Sequence, residues 1–421
     1  MERAPLTAVV QQHAEEAAML RHVRSVLVRA PHIKLLQLRR LDERIAAHLD
    51  GLAVAGRHGT AVCAAALDRL GAGEVFALAV RLIDERDARR LERLVELAAE
   101  SSDALRGLVS ALGWVSVGAL RGLVHGLLTS GDVLRCRVGL TACRLHRVDP
   151  GPGLTTALGS SDALLRSEAL RTAAELGRTD LLPQALNLLQ EPAPDASLRA
   201  AVSACLLGDR AQAVMRLDNF VLSDGAHQDE AAAWLLPVVE FGRGREVLLA
   251  MARRAHRPGL AHKRRIVRAS GWLGDAQYVP WLIDLMADDA LARLAGASFA
   301  LITGADLSKL DLERPQPEPL QSDASEDSAD EDVSLDEDES LPWPDRDKVQ
   351  LWWRHHARSM PANMRSFMGA APSVSHAEQV LREGYQRQRV VAARHRVWCQ
   401  PGTPLFPVCA PAWRQQRSLA T

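Results

Sequence analysis

The segment from Ser161 to Gly177 is one copy of a degenerate repeat, and a repeat is what most narrows the folds open to this chain. Related copies place an arginine near the start of a small-residue helix at Arg106, Arg135, Arg166, Arg199, Arg264 and Arg293. Their spacing is roughly 29 to 33 residues, with one gap about twice as long, which is the scale of a helical hairpin in a solenoid. One hairpin cannot bury its own apolar face, so the copies must stack. A scaffold of this kind displays surface, which points to binding before catalysis.

Within the clearest copy Leu165, Ala169, Ala173 and Leu176 fall on one closely packable stripe of a helix. Gly177 ends that helix, because a residue free to adopt positive φ closes it with little strain. Asp180 is placed to cap the next helix, Leu181 to Leu189, with Pro183 in its first turn, where no intrahelical bond is lost. The pattern returns in Ala200 to Leu207 with Gly208-Asp209, and in Ile266 to Leu273 with Gly274-Asp275. Residues Gln228 to His256 fill the long gap, with Glu230 and Ala231 where the arginine is expected. The repeated Asp and Arg residues read as a ladder of hydrogen bonds between repeats rather than as ligands.

The expected fold is all-α, a HEAT-like α-solenoid with an N-terminal helical cap, an acidic disordered linker and a small helical C-terminal region. Abundant Ala, Leu and Arg, few aromatics and no long β-branched runs favour helix nearly everywhere. Residues 1–100 form an N-terminal helical module. There Pro31 separates two helices, Leu38, Leu41, Ile45, Leu49 and Leu52 make a core stripe, and Val62 to Ala99 leads into the repeats as one or two helices. The repeats occupy 101–310.

Net charge near zero hides a segregation. Between Pro315 and Pro344 stand 11 acidic residues and no Lys or Arg, whereas Asp345 to Thr421 carries 12 basic against 4 acidic residues. The stretch 311–344 has too little apolar surface to offset its ordering entropy and reads as a disordered linker. Residues 345–421 form a basic, Trp/Arg-rich helical region. Trp343, Trp352, Trp353, Tyr385, Arg387, Arg389 and Trp398 are its candidate partner-binding residues, since Trp, Tyr and Arg dominate binding hot spots; the competing reading packs the tryptophans in a small local core. Arg382, Arg387, Arg389, Arg394 and Arg396 beside Tyr385 and Trp398 also suit phosphates and bases, but the acidic neighbour and near-neutral pI argue against nucleic acid as the partner.

No signal peptide is expected, because Glu15, Glu16, Arg21 and Arg24 interrupt the first apolar run, and no stretch reaches the roughly 18 uncharged residues of a membrane span. Six scattered cysteines form no disulfide framework, so a cytoplasmic, reduced setting is expected. Phosphate-loop, dinucleotide, nucleophile-elbow and HExxH motifs do not occur. Cys136, Cys143 and His146, and Cys399, Cys409 and His395, lack zinc spacing, and none of the 14 histidines precedes a glutamate as a di-iron repeat would need. No enzyme activity, cofactor or metal is therefore expected.

The repeats resemble HEAT repeats of the phycobilisome-lyase-like type, through Leu165-Arg166, Ala169, Ala173 and Leu176-Gly177. Across nearly its whole length the chain also resembles an uncharacterised proteobacterial HEAT-repeat family often encoded near type VI secretion genes. That likeness rests on Leu41-Asp42-Glu43-Arg44, His48 to Leu52, Ala111 to Trp114, Phe299 with Ile302-Thr303-Gly304, Leu341 to Asp345, Trp352-Trp353 and Gly384 to Arg389. The resemblance implies a non-catalytic protein–protein interaction scaffold, an accessory, adaptor or effector chaperone of a type VI secretion system, with a secretion component or effector as protein partner. Its alternatives are an immunity-like toxin-binding protein and an enzyme of the HEAT-repeat lyase type.

Overall fold

The computed structural model describes residues 6–254, 259–317, 338–360 and 363–420. Among them the protein is all-α. Only isolated bridges, such as Lys34 with Tyr385, stand where strands would be. No helix is long and apolar enough to cross a membrane. The chain divides into two compact units, Met1–Asp209 with Leu381–Thr421, and Arg210–Val380.

The first unit begins with α1 (Thr7–Leu27), α2 (Leu35–Val54), α3 (Gly56–Ala65), α4 (Ala72–Asp84), α5 (Ala88–Glu100) and α6 (Ser102–Trp114). It continues through α7 (Leu123–Thr129), α8 (Val133–His146), α9 (Pro152–Leu158), α10 (Ala163–Leu176), α11 (Leu182–Asn187) and α12 (Pro194–Leu206). The second unit holds α13 (Gln212–Leu222), α14 (Gln228–Leu235), α15 (Phe241–Arg253), α16 (Leu260–Leu273), α17 (Val279–Leu285), α18 (Asp289–Thr303) and α19 (Arg346–His356). Helix α20 (Val374–Glu383) runs across the division, and α21 (Gln386–Cys399) and α22 (Ala412–Ala420) belong to the first unit.

In the first unit α4, α6, α8, α10 and α12 each pack on the next, and α5, α7, α9 and α11 form a second layer against α6, α8, α10 and α12. In the second unit α14, α16 and α18 make one layer and α13, α15 and α17 the other. Helices α14 and α15 occupy the long gap between the sequence copies. Aspartate or serine opens many of these helices: the side chains of Ser101, Asp132, Asp162 and Asp288 accept bonds from backbone N–H groups of the first turn. Asp180 departs from this rule. It lies in a 3-10 turn, pairs with Arg178 at 2.7 Å and leaves α11 without a side-chain cap, because the guanidinium reaches it within two residues. The repeat arginines do bridge neighbouring helices: Arg166 pairs with Glu191 at 2.9 Å, Arg135 with Glu96 at 3.1 Å, and Arg264 donates to Ala290 O.

The C-terminal segment, residues 363–420, runs as a strap along helix ends within each unit. In the second unit the carbonyls at the ends of α14, α16 and α18 accept bonds from it. Arg365 donates to Leu236 O, Val239 O and Leu273 O, Ser366 N to Gly274 O at 2.7 Å, and Met368 N and Gly369 N to Leu301 O and Ile302 O. In the first unit Leu405 N donates to Glu175 O at 2.9 Å and Arg147 Nε to Leu405 O at 2.7 Å, while Arg414 donates to the carbonyls of Gly113, Trp114 and Val115 at the end of α6. Asp42, fully buried, accepts Ala412 N at 2.6 Å and pairs with Arg24 at 2.5 Å. Close approach depends on glycine. Gly177 (φ +72°) and Gly274 (φ +72°) close their helices in the left-handed region, and a Cβ on either would overlap the carbonyl oxygen of Gly402 or Ser366.

The region 345–421 is thus shared between units, because residues 345–380 and 381–421 each complete a different helix stack. The core of the acidic segment, 318–337, lies outside the described residues. Its flanks are ordered rather than linker-like: Glu313 bridges Pro344, Arg314 N donates to Trp343 O at 2.8 Å, and buried Asp338 pairs with Arg264 at 2.6 Å. Buried ion pairs hold these residues where composition alone favours solvent.

Around Glu175 the strap meets a cluster of charge. Arg144 bonds Glu168 at 2.9 Å and Glu175 at 3.2 Å, Arg147 pairs with Glu175 at 2.9 Å, and Arg171 at 2.8 Å. Burial alone would raise the Glu175 carboxyl, but Arg144, Arg147 and Arg171 override it and hold it down to about 2.

Two stability experiments check this arrangement. Gly274→Ala should cost about 3 kcal/mol or more in urea unfolding, from the strained φ together with the steric overlap, whereas Gly131→Ala, at positive φ but in open space, should cost only about 1–2 kcal/mol. Glu175→Gln should cost about 3–5 kcal/mol by stranding buried arginines. Because the native carboxyl titrates below its ordinary value of about 4.3, its contribution is complete above that pH and is lost as pH falls toward about 2. Urea titrations of the variant should lack that acid limb.

Candidate functional site

The aromatic and basic residues singled out by composition are divided between the units. In the second unit Trp343 lies half-buried beneath Arg293 and Arg314, their guanidinium carbons 4.7 and 5.6 Å from a ring centroid. Trp352 and Trp353 pack on the core of Val349, Leu294, Ala295 and Phe299, and Trp352 meets Phe299 edge-on at 5.7 Å. In the first unit Tyr385 opens α21 with the Lys34 ammonium 4.4 Å from its ring, and Trp398 meets His395 edge-on at 5.3 Å. Arg387 is exposed and donates to the carbonyl of Arg29 at 3.4 Å.

Arg389 overturns its expected place at a partner surface. It is 0% exposed, donating to Leu381 O at 2.7 Å, to Gln386 Oε1 and to Gln415 Oε1 at 2.5 Å, and burial lowers its guanidinium to about 10. The reason is the same strap: α21 and α22 need a polar tie between them, and a fully buried arginine survives only with such partners. Of these candidates, Arg389 and the half-buried Trp343, Trp352, Trp353, Tyr385 and Trp398 pack within the fold, while Arg387 stays exposed.

An open feature exists elsewhere, on the first unit. The turn after α4 places Arg86 at φ +56°, with Arg86 N and Asp87 N bonded to the carbonyls of Ile83 and Leu82, and this swings the chain into α5. Asp87 caps α5; its carboxylate accepts bonds from Arg90 N and Arg90 Nε, which hold it below the ordinary aspartate range. Opposite, a 3-10 turn at Val117–Leu120 leads through Gly122, φ +83°, into α7. Between these walls lies a cleft of about 610 Å³.

Its floor is apolar, made by Leu82, Ile83, Leu91, Val95 and Leu127, which are buried in the core of this unit. Arg86 and Arg121 stand exposed at its edge, and Arg135 lines it while paired with Glu96. The space over Gly122 and Gly126 is open, so backbone is presented where other residues would put side chains. Asp87 and the exposed Glu92 line the cleft too, so an apolar floor with a rim of mixed charge accepts a segment that offers apolar anchors flanked by polar groups. No single stretch of sequence announces this cleft, since its walls come from four elements; the surplus of glycines from Gly118 to Gly126 is the only local signal.

Within the described residues no group of three or more His, Cys, Asp or Glu side chains is arranged to hold a metal ion. No family model matches the chain, and no curated protein does. A crystal structure of an engineered protein is similar at 15% identity and a TM-score of 0.32, over 72% of this chain and 90% of that one, a likeness too slight to bear on function.

Proposed function

We propose that the chain is a non-catalytic protein-interaction scaffold that docks its partner in the cleft between α5 and α7. The observation that carries this is the cleft itself: buried core leucines and valines reach its floor, exposed arginines edge it, and three glycines lie along one wall. Such a surface fits a protein segment with an apolar face, held by desolvated apolar anchors and oriented by the rim charges of Arg86, Arg121 and Glu92. The resemblance to the type VI secretion-associated family suggests the setting: a cytoplasmic accessory, adaptor or effector chaperone whose partner is a secretion component or effector.

Filling the cleft tests the reading. Gly126 faces open space on α7, so Gly126→Trp should leave the melting temperature within a few degrees of wild type. Capture of the partner from host-cell lysate by the full chain, quantified by mass spectrometry, should fall at least about tenfold in this variant, the equivalent of roughly 1.4 kcal/mol of docking energy. A photo-crosslinker at Glu92 should attach to the same partner. Equal capture by both chains, with no adduct at position 92, would exclude the cleft as the docking site.

A further inference from the structure

A second cavity of the first unit, of about 440 Å³, lies beneath the strap segment from Leu405 to Pro411 and is walled by α1, α6, α8 and α10. Its chemistry is unlike that of the cleft. Arg144, Arg147 and Arg171 gather on one wall around the single carboxylate of Glu175, and Arg24 leans on Asp42. Three more guanidinium groups reach the cavity with no carboxylate within ion-pair distance among the described residues. Arg21 donates to Ser110 Oγ at 2.7 Å and to Arg106 O, Arg414 donates only to backbone carbonyls, and Arg29 is exposed with no side-chain partner among the described residues.

Seven guanidinium groups therefore face one enclosed space, and the carboxylates bonded to them are Glu175, Glu168 and Asp42. Asp103, the nearest other acid to Arg21, is bound to Arg106 at 2.8 Å. The excess guanidinium groups repel one another. Burial lowers Arg21 and Arg414, and neighbouring arginines lower both further, Arg106 beside the first and Arg24 beside the second. An anion entering here would relieve that repulsion in a partly dry site, where charge-assisted bonds are strongest. The rest of the lining is apolar and aromatic: Ile45, Phe76, Val109, Leu145 and Trp114, with Phe76 and Trp114 edge-to-face at 5.7 Å.

We infer that this cavity is a binding site for an organic phosphate of nucleotide size, its phosphates on the arginines and its aromatic body against the half-buried Trp114. The volume lies in the range of small-ligand sites, roughly 300–1,000 Å³. Guanidinium groups are the side chains best matched to phosphate oxygens, because they donate in a planar fork. The strap roofs the site, through Leu405 O on Arg147 and Cys409 O and Ala410 O on Arg24, so the ligand would also pin the C-terminal segment to the helices. This site is separate from the cleft proposed for the protein partner and does not depend on it.

Calorimetric titration of the full chain in about 0.15 M salt, with ATP, AMP, adenosine and inorganic tripolyphosphate as probes, tests the assignment. ATP should bind below about 100 µM, AMP at least about tenfold more weakly and adenosine without detectable heat. Tripolyphosphate should bind, but several-fold more weakly than ATP. Arg29→Ala and Arg21→Met should each weaken ATP at least about fivefold; Arg29, exposed and unpaired, carries the test if Arg21→Met proves unstable. Alkylation of the exposed Cys409 thiol, which lines the cavity, should slow with ATP while that of the exposed Cys399 does not. Absence of heat with ATP, or affinity unchanged in Arg29→Ala, overturns the site. Equal affinity for tripolyphosphate and ATP overturns the aromatic subsite.

Discussion

Every α-helix ends with carbonyl groups that its own backbone cannot satisfy. Within each of the two units a stack of helical pairs presents such ends, and the C-terminal segment supplies donors to them. Arg365 serves the ends of α14 and α16, the backbone of 366–369 serves α16 and α18, and Arg414 serves α6. Glycine at Gly177 and Gly274 is what lets the strap come so close. Much else follows from that contact, including the burial of Asp42 and Arg389 and the roof over the arginine-lined cavity.

The two sites illustrate different uses of the same residue type. Around the cleft, Arg86 and Arg121 stand at an exposed edge where solvent screens them. Beneath the strap, arginines are crowded and partly desolvated, and their repulsion is offset by only a few carboxylates. An exposed charge tunes encounter, whereas a buried surplus of charge demands an opposite one.

Much of the helix stack was legible because its signals are local. The stripe Leu165, Ala169 and Ala173, the stops at Gly177 and Gly274, and Pro183 in a first turn each act within one or two helical turns, and the long gap was filled by α14 and α15. What escaped notice depends on partners far away in sequence. Asp42 and Ala412, or Arg147 and Leu405, carry no periodic mark that links them. Composition identified Arg389 as a surface residue, since arginine rarely survives burial; its rescue by Gln386 and Gln415 becomes visible only once α21 and α22 pack together. Asp180 failed as a cap for a smaller reason, the competing guanidinium of Arg178. The arginine cavity assembles residues from 21 to 414, so no window of sequence contains it.

Repeat stacks ordinarily form neighbour by neighbour, each added copy resting on the one before. The bond from Ala412 to Asp42 breaks that locality in the first unit, tying the second helix of the chain to nearly its last. During synthesis α1 and α2 leave the ribosome long before residue 412 exists, so Asp42 has Arg24 as its partner first and gains the Ala412 amide later. The polar contacts of the N-terminal helices are thereby completed only once α22 has been made, and a nascent chain halted before it leaves that edge uncovered.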